Sequence, residues 1–260
     1  MLAAINIGNT HIAWGIFEGS TLTAHWRLAT DPRTTSDEYG VLCTSLLERA
    51  QRSTQSITGA VLSSVVPALT GTMVSMVETY FGCSPLVISA DCDTGLILKY
   101  DNPRELGSDR LVNAAAAYHK FRRDLIIVDC GTATTFCAVT QAGEYLGGAI
   151  APGLGIAAEA LFARTAKLNK VELGRPRTVI GTDTASSIQS GLLFGYAGLV
   201  DTLVRRIERE MGRTSWVVAT GGLASIIAPE ASTIHTVEPF LTLEGLELLY
   251  RRSQGRCPSP

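Results

Sequence analysis

The segment GSDRLVNAAAAY, which begins at Gly107, places a carboxylate beside a guanidinium at the start of an alanine-rich helical pattern. A positioned carboxylate can accept the proton of a hydroxyl group that attacks phosphorus, and Asp109 is a candidate for this role. Arg110 can bind a substrate carboxylate through two parallel hydrogen bonds. A structural alternative stays open, because Ser108 or Asp109 can cap the helix and Arg110 can be a solvated helix residue.

Three short Gly/Thr-rich stretches follow apolar, strand-like runs: NIGNT at 6–10, DCGTATT at 129–135 and ATGG at 219–222. Glycine lets backbone N–H groups approach phosphate oxygens, and threonine and asparagine side chains add donors. Asp129, at the end of its strand, can hold a cation or cap the turn that follows. The sequence contains neither G-x-x-x-x-G-K-[ST] nor a strand–G-x-G-x-x-G–helix motif. The pattern therefore predicts a phosphate site formed by two turns.

The elements around these turns occur twice. The segments LAAINIGNTHIAWGIFEGSTLTAHWRL and LIIVDCGTATTFCAVTQAGEYLGGAI each predict a three-stranded meander, and they align Asn6 with Asp129. Helical and strand-like segments then alternate, with a predicted N-cap at Ser36 and a long helix that Gly195 and Gly198 can interrupt. The repeat predicts two α/β halves, 1–117 and 118–260, whose first turns face a shared nucleotide cleft.

The composition favours a globular cytoplasmic protein. Of the 260 residues, 46% are hydrophobic and 18% are charged, and a formal net charge of −2 gives no indication of a nucleic-acid or membrane partner. No apolar run reaches the ~20 residues of a membrane-spanning helix, and no basic segment precedes an apolar one, so we expect no membrane segment or signal peptide. The six cysteines lack C-x-x-C spacing, which predicts free thiols, and the four histidines lack the spacing of a zinc site.

Together, these blocks resemble the superfamily of actin, sugar kinases and acetate kinases, and within it the type III pantothenate kinases. The resemblance extends from residue 2 to about residue 250, and it rests on the ordered blocks GNT at 8–10, YDNPRELGSDRLVNA at 100–114, VDCGTATTF at 128–136, GGAIAPGL at 147–154, IGTDTASSIQSGLLFGY at 180–196, TGGLA at 220–224 and LTLEGL at 241–246. It implies duplicated ribonuclease-H-like (actin-like) domains and a homodimer. It also implies ATP-dependent phosphorylation of pantothenate to 4′-phosphopantothenate, the first step of coenzyme A synthesis, with Mg²⁺ and either K⁺ or NH4⁺.

The resemblance further implies a role for each residue that matches a family motif. Asp109 matches the proton acceptor, Asp129 matches a ligand of the monovalent cation, and Thr184 matches a substrate contact that the partner subunit of a dimer supplies. The other substrate contacts match Tyr100, Gly107, Ser108 and Arg110, together with Asp109. The ATP contacts match Asn6, Ile7, Gly8, Asn9, Thr10, His11, Ile12, Ala13 and Thr132.

Two positions depart from the family pattern, and each lacks a carboxylate that we expect near the nucleotide. Asn6 stands where the family usually has aspartate, and Cys137 stands where aspartate often follows TTF. An amide oxygen can hold a metal-bound water without the charge attraction of a carboxylate. Three outcomes stay open: an active enzyme with weaker Mg²⁺ use, an inactive or regulatory paralogue that binds nucleotide or pantothenate, and a kinase for another small hydroxylic substrate.

Overall fold

A computed structural model describes residues 1–164 and 171–255. The strands are β1 (Leu2–Ile7), β2 (His11–Glu18), β3 (Thr21–Ala29), β4 (Gly59–Ser64), β5 (Leu86–Val87), β6 (Ile97–Leu98), β7 (Leu125–Cys130), β8 (Ala133–Val139), β9 (Glu144–Pro152), β10 (Trp216–Thr220) and β11 (Thr236–Val237). The helices are α1 (Ser36–Arg49), α2 (Pro67–Phe81), α3 (Ser108–Phe121), α4 (Leu154–Ala163), α5 (Thr184–Met211), α6 (Ala224–Ile227) and α7 (Leu241–Ser253). No helix in the described part of the chain is both long and apolar enough to cross a membrane.

The chain divides into two compact units, each made from more than one stretch of sequence. Unit 1 comprises Met1–Leu96, Asp101–His119 and the chain from Leu241 onward, and unit 2 comprises Ile97–Tyr100 and Lys120–Phe240. The predicted halves, 1–117 and 118–260, are continuous, whereas here α7 groups with unit 1, where it packs against β1, β2 and β4. The amphipathic pattern of a helix shows that it has an apolar face, but it does not identify the sheet that covers this face.

Unit 1 is built on a five-stranded sheet in the order β3-β2-β1-β4-β5. The first three strands form the predicted meander, and β4 runs parallel to β1. The parallel pairing brings the carboxyl ends of β1 and β4 to one edge of the sheet, where Asn6 lies opposite Ser63. Buried apolar side chains, among them Ile5, Trp14 and Met73, form the core between this sheet and its helices.

Unit 2 repeats this plan on a six-stranded sheet in the order β11-β10-β7-β8-β9-β6. Strands β7, β8 and β9 form the second predicted meander, and β10 runs parallel to β7. Strands β1 and β7 share one burial pattern, because only the fifth residue of each, Asn6 or Asp129, is half-buried while the others are buried. The structure therefore confirms the duplicated α/β plan and the alignment of these two positions.

The long helix of unit 2 is continuous, so the interruption that we predicted near Gly195 and Gly198 does not occur. Helix α5 extends over 28 residues through Gly195 and Gly198. Each glycine costs a helix interior only about 1 kcal/mol relative to alanine. Buried Tyr196, Ala197 and Val200 pack the helix into the core of unit 2, which offsets this cost.

The N-cap of α1 is Thr35, one residue before the predicted Ser36. The Thr35 hydroxyl accepts a hydrogen bond from Glu38 N at 3.3 Å, and the Glu38 carboxylate accepts one from Thr35 N at 2.8 Å. This reciprocal capping box satisfies two backbone donors at once, which a cap at Ser36 would not do.

Candidate active site

The first Gly/Thr turn joins β1 to β2 and is held in place from the end of β3. Gly8 N donates to His11 O at 3.1 Å. The Thr30 hydroxyl donates to Gly8 O at 2.7 Å, and Thr30 N donates to Thr10 O at 3.1 Å. Asn9, Thr10 and His11 are exposed at the tip of the turn. A fixed turn with exposed polar groups is suited to bind the oxygens of an anion.

The remaining predicted nucleotide contacts of this turn lie deeper. The side chains of Ile7 and Ile12 are fully buried in the core of unit 1, so only their backbone atoms are available to a ligand. Ala13 is half-buried in β2, where it pairs with Asn6. Ile7, Ile12 and Ala13 therefore hold the turn in place by packing and strand pairing.

Asn6 has an unsatisfied polar atom at the edge of the sheet. Its side-chain oxygen is buried and accepts no hydrogen bond from the residues that the structure describes. A buried acceptor without a donor costs about 1–3 kcal/mol. This oxygen fits a site that a cation, a metal-bound water or a ligand donor completes.

Helix α3 brings Asp109 to the same edge of unit 1. Its first residue, Ser108, reaches Ser63 at the end of β4 with an Oγ–Oγ distance of 3.0 Å, and Ser63 is the strand partner of Asn6. Asp109 Oδ1 accepts a hydrogen bond from Arg110 N at 2.7 Å. Asp109 is half-buried and Arg110 is buried. The predicted base therefore lies at the carboxyl ends of parallel strands, where open α/β sheets commonly bind ligands.

Gly107 leaves the space that this carboxylate occupies. A Cβ atom at residue 107 would lie 2.7 Å from Asp109 Oδ1, which is closer than real Cβ contacts. Any larger residue would displace the carboxylate or the start of α3. Gly107, the first residue of the G-x-D-R motif formed by residues 107–110, therefore leaves space for the carboxylate of the third.

Burial raises the pKa of the Asp109 carboxyl above its ordinary value of 3.8. The hydrogen bond from the Arg110 backbone and the charge of Arg110 act in the opposite direction but are weaker. A carboxylate with a raised pKa is a stronger proton acceptor, which suits a general base.

Asp129 occupies the matching position in unit 2. It is the penultimate residue of β7 and lies between Thr135 of β8 and Thr220 of β10. Gly221, which follows the last residue of β10, has a φ of +91°, and a Cβ atom there would lie 2.4 Å from Asp129 Oδ1. The carboxylate therefore lies directly against a backbone that only glycine can form without a clash.

The second turn is held by the start of α4. Gly131 N donates to Ala133 O at 3.1 Å, and Gly153 N donates to Thr132 O at 3.0 Å. A Cβ atom at Gly153 would lie 2.3 Å from Thr132 O, so α4 approaches the turn as closely as a backbone can. The start of a helix attracts negative charge, which fits a turn predicted to contact phosphate.

Tyr100 and Cys137 lie together in unit 2. The Tyr100 ring is 6.1 Å from the Tyr145 ring, and the Tyr145 hydroxyl donates to Cys137 Sγ at 3.4 Å. Cys137 is buried in mid-strand, opposite Ile127, two strand pairs away from Asp129. Residue 137 therefore packs inside unit 2, and the expectation that a carboxylate is lost near the nucleotide at this position stays a prediction.

Thr184 is exposed at the first position of α5. The helix is capped by Asp183, whose carboxylate accepts a hydrogen bond from Ser186 N at 2.9 Å. Thr184 also lines a surface groove of unit 2 with Thr182, Ser187 and other residues. Its hydroxyl is free to meet a ligand or another subunit, because the capping box uses Asp183 and Ser186 instead.

The structure adds Ser63 and Ser64 to the residues that the sequence motifs identify, and it shows that Gly153 of the block GGAIAPGL packs closely against the second turn. The serine pair at the end of β4 could have been found from the sequence, because two polar residues end an otherwise apolar strand. Over the described residues, no group of three or more His, Cys, Asp or Glu side chains could hold a metal ion.

Comparisons with known proteins identify relatives along most of the chain. The sequence model of the type III pantothenate kinase family matches residues 2–206. A Geobacter sulfurreducens protein named type III pantothenate kinase is 51% identical over 98% of this chain and 100% of its own length.

Solved structures support the fold at lower identity. The Acidaminococcus fermentans (R)-2-hydroxyglutaryl-CoA dehydratase component A has a TM-score of 0.57 at 15% identity and covers 98% of this chain and 99% of its own. The polyphosphate/ATP-glucomannokinase of Arthrobacter sp. strain KM has a TM-score of 0.50 at 14% identity, with coverage of 98% and 99%. These similarities are consistent with the two-domain ribonuclease-H-like fold that the sequence predicts.

Proposed function

The chain belongs to the type III pantothenate kinase family, and on this premise we propose that it transfers the γ-phosphate of ATP to the primary hydroxyl of pantothenate, which gives 4′-phosphopantothenate for coenzyme A synthesis. The observation that carries the proposal is the 51% identity to a named type III pantothenate kinase over nearly the whole of both chains. Fold similarity alone would not select the substrate, because one fold hosts many activities. The G-x-D-R segment, with Asp109 at the sheet edge, supplies the chemistry that such a transfer needs.

The proposed roles follow the positions of the side chains. Asp109 accepts the hydroxyl proton while the oxygen attacks the γ-phosphorus, and burial strengthens it as a base. Arg110 binds the pantothenate carboxylate, and Tyr100 and Gly107 contribute further contacts. The turn at 6–13 and Thr132 contact the phosphates of ATP.

Kinases of this family use ATP with a divalent metal, and we propose that the metal is Mg²⁺. The buried, unsatisfied oxygen of Asn6 fits a metal-bound water, although it lacks the charge of a carboxylate. When bound, Mg²⁺ neutralises charge on the phosphates. Asp129 is the proposed ligand of K⁺ or NH4⁺, and its contact with Gly221 keeps that carboxylate in one place.

We propose that the enzyme is a homodimer in which Thr184 of one subunit contacts substrate bound to the other. On α5, Gly191, Gly195 and Gly198 are exposed on the same face, and apart from their chain neighbours and the nearby helix backbone, no atom of the described residues lies within 4 Å of the Cβ position of any of them. Glycines weaken a helix interior by about 0.5–1 kcal/mol each. Their recurrence on one exposed face fits close packing by a second copy of the chain.

We propose that the protein is located in the cytoplasm. All five cysteines within the described residues are free, which is typical of a reducing compartment, and the sixth, Cys257, lies outside these residues. The proposed partners are pantothenate, ATP and a second copy of the chain.

The alternative of an inactive or divergent paralogue gains no support from the relatives, which are named as type III pantothenate kinases over their full length. The amide of Asn6 should nevertheless affect how the enzyme binds Mg²⁺. An amide keeps the shape of a carboxylate and loses its charge, so we expect a weaker apparent affinity for Mg²⁺ with the reaction retained.

A coupled assay of ADP release with pantothenate, Mg²⁺ and K⁺ tests the proposal. The Asp109→Asn variant should lose about 10²–10⁴-fold in kcat, because it lacks a proton acceptor. Wild-type turnover no higher than that of Asp109→Asn would disprove the kinase function. In the same assay, Asn6→Asp should lower the Mg²⁺ concentration needed for half-maximal rate, and an unchanged Mg²⁺ dependence would contradict the role given to residue 6.

A further inference from the structure

We propose that Ser108 is a positioning residue whose hydroxyl fastens the start of α3 to the end of β4 and thereby fixes the Asp109 carboxylate. The motif alone implies a different role, since the x position of G-x-D-R matches a substrate contact. The inference rests on the proposed function only in taking Asp109 as the base.

The Ser108 hydroxyl is fully used by the protein. It donates to Ser64 O at 3.0 Å and accepts from Ser64 N at 3.0 Å, and its oxygen lies 3.0 Å from the hydroxyl oxygen of Ser63. A hydroxyl has one donor and two acceptor positions. With Ser63 as the second donor, all three are occupied. Because the residue is only 8% exposed, its side chain has neither capacity nor access for a substrate group.

These contacts join two parts of the site within unit 1. Ser63 and Ser64 end β4 opposite Asn6 and Ile7, the last residues of β1 before the first turn. Ser108 immediately precedes Asp109, so a movement of one α-carbon carries the other, which is about 3.8 Å away. One hydroxyl thus sets the distance between the helix that carries the base and the strands that carry the turn.

Replacement of Ser108 should therefore affect the chemical step more than binding. A displacement of about 1 Å in a catalytic group can cost about 10²-fold in rate. In Ser108→Ala we expect kcat to fall about 10- to 100-fold, with the KM values for ATP and pantothenate changed less than about threefold. Water that reaches the loosened carboxylate should also move the acid limb of the kcat profile to lower pH.

Two further variants make the test specific. Ser215→Ala is a matched control, because Ser215 is similarly buried at 6% exposure and immediately precedes β10 in unit 2. It should leave kcat, KM and the acid limb unchanged. Ser63→Ala removes one contact of the Ser108 hydroxyl and leaves its two hydrogen bonds with Ser64 intact, so it should lower kcat by less than Ser108→Ala. If Ser108→Ala does not fold, a kcat of Ser63→Ala equal to that of Ser215→Ala overturns the inference.

A structural measurement separates this inference from the proposed function. In crystal structures of the wild type and Ser108→Ala without ligands, the Asp109 α-carbon should move by more than about 0.5 Å relative to β4. An unmoved Asp109, or a kcat and acid limb equal to those of Ser215→Ala, would overturn the inference. Absence of wild-type turnover with pantothenate would instead overturn the proposed function, and the structural comparison would still decide the role of Ser108.

Discussion

Substitution of Gly221 by alanine should destabilise unit 2 through two effects, an unfavourable backbone conformation and a steric clash. The residue has a φ of +91°, which costs an L-amino acid about 1–2 kcal/mol. Its new Cβ atom would lie 2.4 Å from Asp129 Oδ1 and 2.8 Å from two backbone atoms of Cys130. Overpacking of this kind costs about 1–3 kcal/mol. We therefore expect Gly221→Ala to lose about 2–5 kcal/mol of unfolding free energy.

Gly212→Ala isolates the conformational part of this loss. Gly212 also has a positive φ, +68°, but its Cβ position has no described atom within 4 Å. It should lose only about 1–2 kcal/mol. Since 1 kcal/mol corresponds to about 2–4 °C in a chain of roughly this size, Gly221→Ala should melt about 2–12 °C below Gly212→Ala in differential scanning calorimetry.

The clash should also change how the activity of the enzyme depends on the K⁺ concentration. The Cβ atom and Asp129 Oδ1 must separate by at least 0.6 Å to reach the 3.0 Å limit of real contacts. A displaced carboxylate should raise the K⁺ concentration for half-maximal activity about tenfold or more, while Gly212→Ala keeps the wild-type value. Equal melting temperatures for the two variants would refute the steric reasoning. A lower melting temperature with unchanged K⁺ dependence would refute the cation role of Asp129.

Three further predictions address unit 1. Because burial raises the pKa of Asp109, the rate should fall as the pH is lowered through a value above 3.8, and a pH profile whose acid limb lies at or below 3.8 would contradict this. Thr242→Val removes a 2.7 Å hydrogen bond to the buried Asn113 and should cost about 1–3 kcal/mol in urea unfolding, whereas a loss near zero would show that the bond is dispensable. Thr35→Ala removes the N-cap of α1 and should cost about 0.5–2 kcal/mol, and Glu38→Gln, which can still accept from Thr35 N, should cost less.

Much of the fold could be predicted because local patterns repeat. The apolar, β-rich runs around NIGNT and DCGTATT, with the short turns between them, predict both meanders, and the terminal helix LTLEGLELLYRRS begins and ends where its pattern does. The cap of α1 differs by one residue, since Thr35 and Ser36 are both favoured cap types and only the capping box with Glu38 selects Thr35. The continuity of α5 depends on buried residues that outweigh its glycines.

The sequence by itself determined the duplicated α/β plan and the two turns, because these depend on residue types at short spacing. Its motif blocks, by their resemblance to a known family, also indicated the candidate base and the family. Only the tertiary structure decided which residues support them. Gly221 touches Asp129 and Ser108 engages Ser63 and Ser64, although each contact joins segments more than 40 residues apart. The same cause sends α7 to unit 1 and Cys137 into the interior of unit 2. Such contacts arise from strand order and packing at a distance, which no local pattern encodes.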